Sequence, residues 1–101
     1  MAKQAGVDLN KAREALMGGF AGSKVMEIHA LRIISDTYIP GFKAKLHHKD
    51  LQIAGNTIDT FGLDLPGSRL AIDYMEKLVE QGHEEIDSAG VAKIVQQLAK
   101  K

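Results

Sequence analysis

The chain has 101 residues, of which 45% are hydrophobic and 26% are charged, and its 13 acidic side chains balance its 13 basic ones. This length and composition are typical of one soluble globular domain, and the zero net charge excludes the strong basic excess of a nucleic-acid-binding module. Cysteine is absent, and the sequence shows neither a secretory signal nor an apolar run of the ~20 residues that cross a bilayer, which fits a cytoplasmic protein without disulfides.

Apolar residues at helical spacing, separated by glycine and proline, predict five helices. Residues 1–5 have the length of a helix stub that ends at Gly6. The predicted helices lie at about 9–17, at about 24–35, at about 43–61, from Pro66 to just before Gly82, and after a cap at Asp87 or Ser88. Since no segment alternates convincingly with period two, we predict an all-α fold, a single compact domain of about five helices.

The same patterns predict how the helices pack. Both faces of the second helix carry Val, Met, Ile or Leu, which indicates a central, well-buried helix. Gly55 lies inside the third helix, where glycine costs about 1 kcal/mol relative to alanine, so we expect another helix to approach closely there. The predicted apolar stripe of the third helix is Leu51, Ala54, Ile58 and Phe61. The inward residues of the last helix are expected to be Val91, Ile94, Val95 and Leu98.

A cluster of charge marks the start of the third helix. Three lysines and two histidines lie within residues 43–49, and Asp50 follows them. Because the N–H groups and the dipole of a helix start favour an anion, this cluster indicates an anion-binding helix start. The alternative is a solvated, lysine-rich helix start. Glu84, Glu85 and Asp87 form an acidic loop for which no partner is evident in the sequence.

The four histidines do not predict a metal site. His47 and His48 are adjacent, so on a helix they point about 100° apart, and His29 and His83 lie in other elements. His48 is three residues before Leu51 on the same face, and we expect its ring to be partly buried and hydrogen-bonded.

Two segments carry a resemblance to a known family. The run PGFKAKLHHKDLQIA, and the run REALMGGFAGSKVMEIHALRII before it, resemble the C-terminal domain of the β-hydroxyacid dehydrogenases. This is the family of 3-hydroxyisobutyrate dehydrogenase and tartronate semialdehyde reductase, and its 2-hydroxy-3-oxopropionate reductase branch looks closest. The resemblance implies that residues 1–101 are a helical C-terminal domain like that of 6-phosphogluconate dehydrogenase. It also implies that the N-terminal Rossmann domain and the helix carrying the family's catalytic lysine are absent from these residues.

The resemblance further implies a cofactor, a substrate and site residues. The cofactor would be NAD or NADP, bound mainly by the missing domain, and the substrate a small β-hydroxy acid that is converted to a semialdehyde. Lys49 and Phe42 match cofactor-contacting positions and Asp50 matches a position in the substrate cleft, whereas no catalytic residue lies in this chain. We therefore expect a homo-oligomeric enzyme without nucleic-acid or membrane partners, and an isolated chain that is inactive. The alternative is a stand-alone helical interaction or oligomerisation module without catalysis.

Overall fold

The computed structural model describes residues 1–100 and contains, within them, five α-helices and one short 3-10 turn. The helices are α1 (Leu9–Met17), α2 (Lys24–Ser35), α3 (Ala44–Thr60), α4 (Pro66–Glu80) and α5 (Val91–Leu98), and the 3-10 turn is Ser88–Gly90. No strand forms within the described residues, and the all-α prediction is confirmed. Residues 2–6 form turns rather than a helix stub. None of the helices described is long and apolar enough to cross a membrane.

The first of two compact units, Met1–Thr37, contains α1 and α2. Both helix starts are capped by side chains: Asp8 accepts from two backbone N–H groups of α1, and Ser23 Oγ accepts from one of α2 at 2.9 Å. Arg13 on α1 is half-buried and reaches α2, where its Nη2 donates to the Glu27 carbonyl at 2.8 Å. One guanidinium therefore joins the two helices.

The prediction that the second helix is well buried is wrong. No residue of α2 is buried, and Val25, Ile28 and Leu31 are 65%, 45% and 46% exposed. The reason is the short length of α1, which has only nine residues. It can cover only one side of α2, whereas α2 carries apolar residues on two sides.

The second unit begins at Tyr38 and holds the buried core. Here α3 packs against α4, and α4 packs against α5. The buried cluster consists of Ala44, Met75, Leu78 and Ile94, and the partly buried residues packed around it are Leu51, Tyr74, Val79, Ile86 and Val91. The core thus takes residues from all three helices and from the loop before the 3-10 turn.

The close approach predicted at Gly55 is confirmed. A Cβ at this position would lie 3.2 Å from Ile72 Cδ1 of α4, which is tighter than ordinary van der Waals contact. Glycine therefore lets α3 and α4 meet where a larger residue would separate them.

The buried face of α3 is rotated from the predicted stripe. Ala54 and Phe61 are exposed, the latter at 70%. The buried or half-buried positions include Ala44, Leu51, Gly55 and Ile58. Their spacing of three, four or seven residues places them on one face, and this face carries the glycine instead of Ala54. In α5 Ile94 is buried as expected, whereas Val95 and Leu98 are exposed.

Two glycines provide a matched test of this packing. A Cβ at Gly90 would lie 2.5 Å from Ile86 Cδ1, whereas a Cβ at Gly67 would meet nothing within 4 Å. We expect Gly90→Ala to lower the free energy of unfolding by about 1–3 kcal/mol through overpacking. Gly67→Ala should raise it by about 0.4–1 kcal/mol, because it restricts the unfolded chain. Urea unfolding of the two variants measures both changes, and equal effects would contradict the packing described here.

Candidate functional site

The segment Tyr38–Lys45 is held by backbone hydrogen bonds to the acidic loop. The Asp87 N–H donates to the Tyr38 carbonyl and the Ser88 N–H donates to the Phe42 carbonyl, each at 2.9 Å. An isolated antiparallel β-bridge joins Lys43 and Asp87 in the same region. The proline and glycine of TYIPGF thus lie in a loop, as expected, but Tyr38 and Phe42 of this loop are bonded to Asp87 and Ser88, which lie 49 and 46 residues further along the chain.

The start of α3 is closed by the same pairing. Its N-cap residue, Lys43, makes no side-chain capping bond. Instead, the N–H of Ala44 donates to the Ile86 carbonyl at 2.8 Å, and the N–H of Lys45 donates to the Glu84 carbonyl at 3.0 Å. These N–H groups are the ones that would otherwise bind an anion. The predicted anion-binding helix start is therefore wrong, because the protein's own carbonyls occupy it.

Asp87 is the most strongly buried acid of the loop, at 1% exposure. Its Oδ2 accepts from the N–H of Gly41 at 2.9 Å and from that of Phe42 at 3.2 Å. Its Oδ1 accepts from the N–H of Ala89 at 2.9 Å and so caps the 3-10 turn. A buried carboxylate requires such donors, since an unpaired one would be strongly destabilising. The capping role expected of Asp87 is thus seen at the 3-10 turn, whereas its contacts with Gly41 and Phe42 were not evident in the sequence.

Glu85 binds two of the three clustered lysines. Its carboxylate binds Lys43 Nζ at 2.6 Å and also binds Lys45 Nζ. The hydrogen bond from Lys43, followed by that from Lys45, lowers the pKa of Glu85 from 4.5 to about 2. The hydrogen bond to Glu85 raises the pKa of Lys45 in turn. The positive charge of Lys43 and Lys45 is therefore partly compensated within the second unit.

Lys49 and Asp50 remain accessible on the second turn of α3. Lys49 Nζ lies 3.2 Å from Asp50 Oδ1, and the two side chains are 63% and 53% exposed. Such an exposed pair contributes little to stability and is easily rearranged. An ammonium and a carboxylate therefore stand at the surface, available to a ligand.

Phe42 lies beside the first turn of α3 and keeps 42% of its surface exposed. Its ring centroid is 5.9 Å from that of His47, with the rings tilted by 51°. Within residues 1–100, no hydrogen bond, ion pair or ring contact joins Phe42 to Lys49 or Asp50. The structure thus places the two charged candidates, Lys49 and Asp50, side by side. The aromatic candidate, Phe42, contacts His47 instead.

His48 is half-buried as expected, but its ring nitrogen Nε2 is enclosed without a hydrogen-bond partner in the part of the chain that the structure describes. His47 Nδ1 is enclosed in the same way. The expected hydrogen bond of His48 is therefore not formed at this atom. No group of three or more His, Asp or Glu side chains among the described residues is arranged to hold a metal ion.

Sequence comparison assigns most of the chain to one family. Residues 1–95 match the family described as "NAD-binding of NADP-dependent 3-hydroxyisobutyrate dehydrogenase". The chain belongs to this family. The predicted family resemblance is confirmed.

Two curated relatives show the range of the family. The chain is 35% identical to the 2-hydroxy-3-oxopropionate reductase of Escherichia coli (strain K12), over 97% of its own length and 34% of the reductase. It is 33% identical to the probable 3-hydroxyisobutyrate dehydrogenase-like 1, mitochondrial, of Arabidopsis thaliana, over 96% of its own length and 29% of that protein. The chain thus spans about a third of the length of the curated relatives it matches.

A crystal structure of 3-hydroxyisobutyrate dehydrogenase from Salmonella typhimurium has the same fold. The TM-score is 0.85 at 22% identity, and the match covers 92% of this chain and 33% of that one. At this identity the likeness concerns the fold, and it confirms the helical architecture predicted from the sequence.

The ion pairs of Glu85 generate a prediction about pH. Because the folded-state pKa is depressed from 4.5 to about 2, the stabilisation by Glu85 is present above pH 4.5 and is lost as the pH falls toward 2. Wild type should therefore be more stable than Glu85→Gln at pH 7, and the difference should shrink through this window. Urea unfolding at several pH values measures it.

Glu84→Gln is the matched control, since it removes an exposed charge from the same loop. The same pH-dependent loss of stability in both variants would show that the loop acts through its total charge. It would contradict a specific contact between Glu85 and the two lysines.

Proposed function

We propose that this chain is the helical C-terminal domain, residues 1–101, of an NAD(P)-dependent β-hydroxyacid dehydrogenase. The observation that carries the proposal is the family match over residues 1–95, together with relatives that are named as a reductase and a dehydrogenase. The chain spans about a third of those relatives. We therefore assign the Rossmann domain and the catalytic lysine to the remainder of the enzyme.

The substrate class follows from the relatives. The proposed substrate is a small β-hydroxy acid or its semialdehyde, most like 2-hydroxy-3-oxopropionate, since the reductase named for that compound is 35% identical. The enzyme is proposed to act in the cytoplasm, in keeping with a chain that contains no cysteine.

Lys49 is proposed to contact the cofactor. Two neighbouring lysines are bound to Glu85, whereas Lys49 has an exposed partner that a negatively charged ligand can replace. Its ammonium suits a phosphate or a carboxylate as a point charge. The local electrostatics therefore favour Lys49 over Lys43 and Lys45 for this role.

Phe42 and Asp50 are proposed to complete the contact surface. The half-exposed ring of Phe42 offers an apolar face to a planar ring. Asp50, which lies beside Lys49, is proposed to face the substrate. When bound, NAD(P)H supplies the hydride. The residues of this chain bind and orient the cofactor and exclude water, and proton transfer is left to the lysine of the other domain.

Homo-oligomerisation is part of the proposal. The first unit exposes large apolar side chains, among them Phe20, Val25 and Leu31. Exposed apolar surface of this kind tends to be covered by a partner. If light scattering at high protein concentration gave the mass of a single subunit, homo-oligomerisation would be contradicted.

The 101-residue chain alone is expected to be catalytically inactive. It contains no Gly-rich dinucleotide-binding turn between a strand and a helix. It should therefore bind NADPH weakly or not at all and should not oxidise any β-hydroxy acid. The measurement is cofactor-dependent absorbance at 340 nm. Steady turnover proportional to the concentration of the pure chain would overturn the assignment of the chemistry to another domain.

The contact of Lys49 is tested in the enzyme restored with its own upstream sequence. Lys49→Ala should weaken NADPH binding by roughly 1–3 kcal/mol, the range for a hydrogen bond to a charged group. The free energy of unfolding should change by less than about 0.5 kcal/mol, because the side chain is exposed. Fluorescence titration with NADPH and urea unfolding measure the two quantities.

Lys100→Ala serves as the control because it removes the same charge from an exposed position beyond α5. A specific contact predicts that the effect of Lys49→Ala is larger and survives high salt. Equal effects that disappear in salt would show a diffuse electrostatic field instead.

A further inference from the structure

The two carboxylate oxygens of Asp87 serve different parts of the chain. Oδ1 caps the 3-10 turn through the N–H of Ala89, two residues away. Oδ2 accepts from Gly41 and Phe42, which lie 46 and 45 residues away. The contact of Oδ1 is local and caps the 3-10 turn. The contacts of Oδ2 hold a distant loop, and the cap does not depend on them.

The loop contacts fix the backbone of Phe42 from both sides. Its N–H donates to Asp87 Oδ2 at 3.2 Å, and its carbonyl accepts from the N–H of Ser88 at 2.9 Å. Because the backbone is fixed, the Phe42 ring is restricted to a few rotamers. The ring of His47 lies beside it, with 5.9 Å between the two ring centroids. The ring nevertheless remains 42% exposed.

The neighbouring residue makes this restraint necessary. Gly41, next to Phe42, has the largest conformational freedom of any residue type. Without an acceptor for its N–H, the Gly41–Phe42 peptide would sample many orientations, and the ring would move with it. An oriented group binds a ligand at lower entropic cost than a mobile one.

We propose that Asp87 is a positioning residue for the cofactor contact, because its Oδ2 holds the backbone of Gly41 and Phe42 so that the Phe42 ring is oriented before the cofactor binds. The inference rests on the proposed function, in which Phe42 contacts the nicotinamide cofactor. Asp87 itself touches no ligand in this arrangement.

The test separates positioning from capping. Asp87→Ser keeps a hydroxyl that can cap Ala89, since serine is a good capping residue, but it removes the oxygen that holds Gly41 and Phe42. In the enzyme with its upstream domain, Asp87→Ser should accelerate amide hydrogen exchange at Gly41 and Phe42. It should also weaken NADPH binding by about tenfold, as expected when charge-assisted hydrogen bonds that orient a contact are lost.

A double-mutant cycle with Phe42→Ala provides the decisive readout. If Asp87 acts through the Phe42 ring, the double variant should bind NADPH no more weakly than Phe42→Ala alone. A merely structural role would give effects that multiply, and this outcome would overturn the proposal. Should Asp87→Ser fail to fold, Asp87→Asn, which keeps the side-chain volume and one acceptor oxygen, replaces it in the same cycle.

The controls distinguish this inference from the proposed function. Glu84→Gln removes a charge from the same loop and should leave NADPH binding unchanged. Normal NADPH binding by folded Asp87→Ser would overturn only the positioning role. Failure of the unaltered enzyme to bind either NADH or NADPH, or of Lys49→Ala to weaken the binding of the cofactor it uses, would count against the proposed function itself.

Discussion

The pairing of residues 84–88 with residues 38–45 is the constraint on which the second unit depends. It satisfies the first N–H groups of α3 with backbone carbonyls and places a carboxylate of 1% exposure among backbone donors. Loss of one partner in this pairing would leave a buried polar group of the other unsatisfied, at a cost of about 1–3 kcal/mol each. Because α3 starts from this pairing, the direction of the helix and the location of Lys49 follow from it.

The same pairing decides how charge is distributed at the candidate site. Glu85 lies beside Lys43 and Lys45 because the backbone of the acidic loop runs along the start of α3. A cluster that looks strongly basic in the sequence is therefore partly compensated by a carboxylate of the acidic loop. The third lysine of the cluster, Lys49, is one turn further along the helix and is paired with its neighbour Asp50. This arrangement supports the proposal that Lys49, and not the cluster as a whole, contacts the cofactor.

Local features of the sequence predict the helices well. Capping residues such as Asp8 and Ser23, the proline at the start of α4 and the glycines after α3 and α4 each act within a few residues. Their effect is therefore visible without tertiary structure. The packing face of α3 was missed by one position, because Ala54 is the more apolar residue whereas Gly55 permits the closer approach of Ile72. Periodicity ranks side chains by polarity and does not include the space between two helices.

The roles of Asp87 and Glu85 could not be predicted in the same way. Their partners in residues 41–45 lie 40 to 46 residues away, and the sequence shows an acidic loop and a basic helix start without the register that joins them. The sequence shows only that the two segments carry opposite charges, and this is compatible with many pairings. Only the backbone hydrogen bonds select the one in which Asp87 meets Gly41 and Phe42.

The two units differ in how much apolar surface they bury. The second unit buries a cluster from three helices, whereas neither α1 nor α2 has a buried residue. Most helical stability in proteins comes from burying an apolar face, so two short helices that bury so little need further apolar surface. A chain that spans about a third of its relatives leaves most of such an enzyme to provide it. The incomplete burial of α2 is therefore consistent with the proposed domain assignment, in which the rest of the enzyme or a second subunit covers this surface.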